Sequence, residues 1–211
     1  IVTNQVGYKC GSKKTAVFRG ADSENQFSVV DAATDNIVYT GSLSENISNS
    51  YAGETNKIGD FSSVTQPGKY YIKCGNLDNS YTFEISDSVY TNLLDDSVRM
   101  LYLQRCGEVI TDSDFGHSAC HTGMAYVYGT NEKIDVSGGW HDAGDYGRYI
   151  VPAAKTIADL LYAYEANPKL YSDNIGIPQS GNGIPDILDE ARYELEWMMK
   201  MQRADGGVYH K

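Results

Sequence analysis

The hydrophobic period of this chain changes once, near Asp87, and that change excludes a fold built from one kind of element. Before it, Tyr81, Phe83 and Ile85 alternate with Thr82 and Glu84, the period-two signal of a strand with one face in a core and one in water. Ala16 to Arg19, Phe27 to Val30, Ile37 to Tyr39 and Lys69 to Lys73 are similar short runs rich in Val, Ile, Tyr and Phe, separated by Gly, Asn, Asp and Ser. Pro67 and Gly68 supply a turn ahead of the fourth of these runs. After Asp87, Tyr90, Leu94, Val98, Leu101 and Tyr102 recur at helical spacing, so Ser88 is read as the N-cap of a helix running towards Arg105. A second helix takes Pro152 in its first turn, carries Ala154, Ile157, Leu161 and Tyr164 on one face, and ends at Asn167 and Pro168. A third opens at Pro185 and Asp186, carries Ile187, Leu188, Ala191, Leu195, Met198, Met199 and Gln202, and stops at Gly206 and Gly207. Glu190, Glu194 and Glu196 read as solvated charges on that helix, and Met198, Met199 and Met201 as core filler. The division is a β-sandwich over residues 1–87 and a helical part over 88–211.

A formal charge of -11 over 211 residues argues against nucleic acid or an anionic membrane as partner, because both demand a basic patch. No apolar run reaches membrane-spanning length. The chain starts directly in strand-like sequence, so an exported protein would have shed its signal already. Cys10 and Cys74 both sit beside glycines at strand edges, and a disulfide between them is one of the open pairings.

The segment Val136 to Tyr149, VSGGWHDAGDYGRY, packs two carboxylates, a histidine, a tryptophan and four glycines into a turn-rich stretch. Asp142 and Asp145 are separated only by Ala143 and Gly144, and two acids held close are a device for handling protons or water. The bland alternative is a surface loop with solvated acids. Mutual proximity should raise one of their two pKa values. Cys106, Cys120, His121 and His141 add two thiolates and two imidazoles, the ligand set of a closed tetrahedral structural zinc site, although not at zinc-finger spacing. Four protein ligands leave no open position, and HExxH is absent, which argues against a catalytic zinc.

GGWHDAGDYGRY closely resembles the segment of family 9 glycoside hydrolases that carries their water-activating aspartates. SGNGIPDILDEARYELEWMMKMQRADGGVYHK, from Ser180 onward, resembles the next signature of that catalytic domain, and IVTNQVGYKCGSKKTAVF resembles the immunoglobulin-like module that precedes it in one branch. The resemblance implies an immunoglobulin-like sandwich followed by the first helices of an (α/α)6 barrel. It implies inverting hydrolysis of β-1,4-glucosidic bonds in cellulose or related β-glucans by a secreted endoglucanase. Asp145 would be the principal base, with Asp142 helping to hold the water. The same branch carries a structural zinc on two cysteines and two histidines, which implies Cys106, Cys120, His121 and His141 here. Calcium is a further candidate ion, with no residues to place it on. The family's acid is a glutamate far downstream, and nothing here resembles its motif. The expectation is therefore an N-terminal piece of a longer or nicked enzyme, partnered by the remainder of its own domain. The alternative function is a non-catalytic module that binds polysaccharide or protein, with Asp142 and Asp145 as sugar hydrogen-bond acceptors.

Overall fold

Seven strands form before residue 87 in the computed structural model, which describes residues 1–211 as two compact units, Ile1–Leu93 and Leu94–Lys211. The strands are β1 (Thr15–Arg19), β2 (Gln26–Asp31), β3 (Ile37–Ser42), β4 (Ile47–Asn49), β5 (Glu54–Asp60), β6 (Gly68–Lys73) and β7 (Phe83–Ile85). They pair antiparallel in two sheets, β1-β5-β4 and β3-β2-β6-β7. Alternation decides which side chains face inward. Ala16 and Phe18 of one sheet meet Phe27, Val29, Tyr70, Ile72, Phe83 and Ile85 of the other in one buried cluster. The rings of Phe18 and Phe27 lie 5.2 Å apart, and Tyr8 stands edge-on to Phe61 and Phe83.

Two strands escaped the apolar pattern. In β5 the inward positions belong to Lys57 and Gly59, whereas Ile58 faces solvent at 39% exposure. Lys57 buries its stem and donates from Nζ to the Glu24 carbonyl at 2.5 Å, as amphipathic side chains do. Gly59 and Gly41 leave room for the Phe27 ring. Conversely, Ile37 and Val38 are exposed within β3, and Tyr81 lies outside β7 and is exposed. Cys10 and Cys74 are both unpaired, with Cys74 buried in the sandwich core and its Sγ turned to the Gln26 carbonyl at 3.4 Å.

The second unit is helical with one small hairpin. Helix α1 (Thr91–Leu103) begins three residues after Ser88, which closes the preceding turn by accepting the Thr91 N–H at 2.9 Å. Strands β8 (Ala125–Tyr126) and β9 (Lys133–Ile134) pair antiparallel, an element too short for periodicity to reveal. Helix α2 (Ile150–Ala166) has Pro152 in its first turn and ends at Asn167, ahead of a single 3-10 turn over Pro168–Leu170. Helix α3 (Asp186–Lys200) packs on α2 through Ile157 and Ala191, with Leu101 and Trp140 completing the cluster. Ala153, Trp197 and Met201 form a second contact. Of the methionines read as core, Met201 is buried and Met199 is 74% exposed. No helix is long and apolar enough to cross a membrane.

Gly59 supplies a test of the sandwich core. A Cβ there would sit 2.5 Å from Phe27 and 2.9 Å from Phe18, so Gly59→Ala is expected to destabilise the first unit by about 1–3 kcal/mol through overpacking. Chemical denaturation followed by near-UV dichroism measures it. An unchanged midpoint would show that the two rings move aside freely.

Candidate active site and metal centre

Helix α1 stops at Leu103, and the chain leaves it alongside the glycine-rich segment. The Cys106 N–H donates to the Gly139 carbonyl at 2.8 Å and the His141 N–H to the Gln104 carbonyl at 2.7 Å, with Arg105 bridged to Trp140. This short antiparallel contact sets Cys106 and His141 side by side. Cys120 and His121 arrive from the intervening loop, where His121 adopts φ 52, a left-handed conformation unfavourable for a residue with a Cβ.

The structure brings all four predicted ligand residues together, with their donor atoms within 4.8 Å of one another. Cys106 Sγ lies 3.7 Å from Cys120 Sγ and 3.5 Å from His121 Nδ1, and Cys120 Sγ lies 3.3 Å from His141 Nε2. A tetrahedral ion at about 2.3 Å from sulfur and about 2.0 Å from nitrogen has S–S edges of ~3.8 Å and S–N edges of ~3.5 Å. The observed edges fit such an ion. Burial pushes the Cys106 thiol up to about 12, so its thiolate form needs a cation beside it. Burial also lowers the pKa of His141, with His117, His121 and Arg148 adding to the effect, and this favours the neutral imidazole that a metal requires.

Asp142 and Asp145 are both exposed, at the tip of the loop between Trp140 and Tyr149. The Asp142 N–H donates to the Gly147 carbonyl at 2.8 Å, closing the loop on itself. Asp145 Oδ1 accepts the Gly147 N–H at 2.9 Å and Oδ2 accepts the Tyr149 hydroxyl at 2.8 Å. Those donors hold the Asp145 carboxyl below its ordinary range, the opposite of a rise through a neighbouring acid. Arg148 donates from Nη1 to the carbonyls of Val136 and Gly138 at 2.5 and 2.8 Å, and Trp197 Nε1 donates to Val136 at 3.1 Å. Gly139, at φ 78, presses against the Trp197 ring so closely that a Cβ would lie 2.6 Å from it. The glycines serve this approach as well as the turn.

Beneath the loop lies a polar centre that the helical pattern had assigned to solvent. Glu190 is fully buried and accepts from Arg105 Nη2 at 2.8 Å, Arg105 Nε at 3.2 Å and Trp140 Nε1 at 3.2 Å. Arg105 is also fully buried, bonds Glu108 and Gln179, and lies 4.2 Å from the Tyr193 ring centroid. Glu194 is buried too, with no donor in good hydrogen-bond geometry on either carboxylate oxygen and only the Trp140 backbone N–H turned loosely towards it, whereas Glu196 is exposed as expected. A usable signal was present: 187, 190, 191, 194, 197 and 201 form one helical stripe, which places both acids among Ile187, Ala191, Trp197 and Met201. Leu195, assigned to that stripe, is 43% exposed.

A second group of donors went unread in the sequence. Carboxylate oxygens of Asp173, Asp186 and Asp189 lie within 4.8 Å of one another. Asp173 accepts the N–H groups of Gly181 and Gly183 at 2.7 Å each, and Asp186 Oδ2 accepts Ile175 N–H and the Ser180 hydroxyl at 2.8 Å each. Asp186 Oδ1 and Ser172 Oγ are buried without partners. An all-oxygen set of this kind suits a hard cation.

Burial moves the Glu194 carboxyl from its ordinary 4.5 to about 8, against the pull of the Trp140 backbone N–H and Arg148. The native state then binds a proton that the unfolded chain releases, so this contribution to stability is complete below about pH 4.5 and lost as pH rises towards 8. Glu194→Gln should flatten the fall in stability across that window by several kcal/mol, on the order of 1.4 kcal/mol per pKa unit. Denaturation midpoints at pH 5 and pH 8 read the difference, and parallel curves for parent and variant would refute it.

Residues 90–211 match the Glycosyl hydrolase family 9 profile, and residues 1–79 match the Cellulase N-terminal ig-like domain. The chain is 38% identical to a cellodextrinase of Butyrivibrio fibrisolvens over 219 residues, covering 100% of this chain and 39% of that protein. A metagenome-derived glycoside hydrolase family 9 endoglucanase superposes with a TM-score of 0.91 at 38% identity, over 99% of this chain and 41% of that one. A Zn-binding triple mutant of the family 9 endoglucanase J30 superposes with a TM-score of 0.87 at 35% identity, over 96% of this chain and 40% of that one. The chain thus spans about two fifths of the length of the relatives it matches. With an Ig-like β module ahead of helices that present the aspartate loop, the chain belongs to glycosyl hydrolase family 9.

Proposed function

We propose that this chain supplies the base side of an inverting endo-β-1,4-glucanase acting on cellulose or a related β-glucan. The observation that carries the proposal is the Asp145 carboxylate, exposed on a braced loop and held ionised by the Gly147 N–H and the Tyr149 hydroxyl. Asp145 takes a proton from the water that attacks the anomeric carbon, and Asp142, three residues away on the same turn, orients that water. In inverting hydrolysis the acid stands roughly 6.5–9.5 Å across the sugar from the base. Residues 88–211 are the opening helices of an (α/α)6 barrel, residues 1–87 are its immunoglobulin-like companion, and the proton donor lies in the remainder of the domain. The names of the matched relatives, a cellodextrinase and an endoglucanase, support this substrate class. A polymeric glucan also requires an enzyme secreted to where the polymer lies.

Zinc is the ion we assign to Cys106, Cys120, His121 and His141, on the strength of the sulfur and nitrogen spacing. Bound there, it supplies no chemistry to the reaction. It fixes His141, the residue before Asp142, and so anchors one end of the aspartate loop. The oxygen cluster of Asp173, Asp186 and Asp189 is the place we assign to calcium.

Asp145→Asn in the protein with its whole catalytic domain should lower the rate of β-glucan hydrolysis by about 10²–10⁴-fold while leaving retention on insoluble polymer unchanged. Retention lost in a protein that never hydrolyses glucan would favour the binding-module reading instead. Treatment with a zinc chelator, or Cys120→Ser, should lower the melting midpoint by several degrees and release one zinc per chain, by analogy with the dependence of small metal-braced folds on their ion. Native mass spectrometry with elemental analysis counts the ions. A protein carrying no zinc at full stability overturns the assignment.

A further inference from the structure

A half-open groove of about 940 Å³ is bounded by the aspartate loop, by α1 and by the turn around residue 115. Each of the two loops brings an aromatic ring to it: Phe115, 68% exposed, and Tyr146, 56% exposed. Neither ring is loosely held. The N–H groups of Asp114 and Phe115 both donate to Asp112 Oδ1, at 2.9 and 3.0 Å, and Asp112 Oδ2 is paired with Arg99 of α1 at 2.9 Å. Ile110 and His117 exchange backbone hydrogen bonds of 2.9 and 3.0 Å, which close the base of that turn. Tyr146 takes the unfavourable φ of 53 and stands edge-on to His141, with ring centroids 4.9 Å apart. A single exposed apolar side chain needs no explanation, but two braced rings on one groove, with Met100 of α1 exposed beside them, form a patch that does. Asp96, Asp114 and Asp142 line the same groove, and its one guanidinium, Arg99, is already paired with Asp112.

Flat apolar rings beside hydrogen-bond acceptors suit a pyranose with equatorial hydroxyls, whose two faces are C–H surface and whose rim is a ring of donors. We propose that this groove is a subsite for an uncharged glucosyl unit of the β-glucan and that Phe115 is its specificity-determining residue. The Phe115 ring stacks on one face of the sugar, Tyr146 limits where the sugar can sit, and Asp114 accepts from a rim hydroxyl. A sugar held here continues directly into the aspartate site, because Asp142 belongs to both. The unpaired carboxylates of Asp96, Asp114 and Asp142 repel a uronic acid or a carboxymethyl substituent, so the subsite selects neutral sugar. The catalytic use of the groove rests on reading Asp142 and Asp145 as the base side, but sugar binding in it does not.

The test measures cellopentaose affinity by calorimetry in the protein with its whole catalytic domain, carrying Asp145→Asn to prevent turnover and Phe115→Ala, Phe115→Leu or Phe115→Trp. Alanine and leucine should weaken binding by about tenfold, whereas tryptophan should hold it within about threefold. Thermal midpoints should stay within about two degrees of the parent, because the ring is exposed. With Asp145 intact, Phe115→Ala should raise KM and leave kcat little changed. Carboxymethylated cellopentaose should bind the parent less tightly than the neutral sugar, with the gap closing as salt is added. Weaker binding in Phe115→Ala, with no hydrolysis by the protein that keeps Asp145, would uphold the subsite and reject the glucanase reading. Unchanged affinity in the alanine and leucine variants would overturn the subsite whatever happens to activity, and so would a parent that binds no cellopentaose. A midpoint several degrees lower in Phe115→Ala with unchanged affinity would show that the rest of the domain covers the ring, which also overturns it. If the alanine variant fails to fold, leucine decides, since it keeps the apolar bulk and removes the flat face. Equal affinity for the neutral and carboxymethylated sugars would overturn the selection by charge.

Discussion

The helical unit depends on one ion pair, Arg105 with Glu190, from which water is excluded on both sides. Its carboxylate takes two guanidinium hydrogen bonds and the Trp140 indole, while the guanidinium fork also reaches Glu108 and Gln179. Removing one member of such a pair typically costs about 3–5 kcal/mol, because the survivor is left charged in a poor solvent. The pair joins three parts of the chain that are distant in sequence: the exit of α1, the glycine-rich segment and the middle of α3. Cys106 follows Arg105 directly and His141 follows Trp140 directly, so the ion pair also sets where the sulfur and imidazole meet. Tyr193 reinforces the arrangement by stacking on Arg105 and donating its hydroxyl to the Cys106 carbonyl at 2.7 Å.

The two units are stabilised by different physics. The first has one continuous apolar cluster between two sheets, built by alternation and closed by aromatic rings. The second has small separate clusters around Leu101 with Trp140, Tyr102 with Ile110, and Trp197 with Met201. Between them run charged and polar ties, including Arg99 to Asp112 and Lys200 to Asp135. A loop held by hydrogen bonds to fixed backbone carbonyls keeps its geometry only while each donor is in place. Exposure of Asp142 and Asp145 is compatible with that geometry because the support comes from beneath.

Much of this was legible from the chain alone, for identifiable reasons. β1, β2 and β6 show their alternation because their inward residues are apolar. β5 hides because Lys57 and Gly59 occupy the inward positions, one by bending its charged end away and the other by making room for Phe27. The helices were readable from their stripes, with errors at an end of α1, in the face of α2, where Ala153 and Leu160 turn inward while Ala154 and Leu161 are exposed, and in which residues of α3 are covered. Glu190 and Glu194 were misassigned because charge outweighed phase: the helical period put them inside, and only a partner 85 residues earlier, Arg105, explains why one of them can be there. Cys106, Cys120, His121 and His141, which the structure brings together, were picked out by ligand type and by the family resemblance, since nothing in their spacing announces that the chain folds back on itself. Asp173, Asp186 and Asp189 went unnoticed because glycines and amides separate the first from the other two.

The closeness of Cys106 and Cys120 has a chemical corollary. Their sulfurs stand 3.7 Å apart, and a covalent bridge needs an approach to only about 2.05 Å. In an oxidising medium the two thiols are therefore a latent disulfide, and an ion held between them works as a protecting group. Once such an ion leaves and an oxidant accepts two electrons from the pair of thiolates, the other two form the S–S bond, and a metal could not return until a reductant restored both thiolates. Loss of such an ion under oxidising conditions would then be a ratchet, and the working life of the aspartate loop would be set by how long its anchor stays reduced.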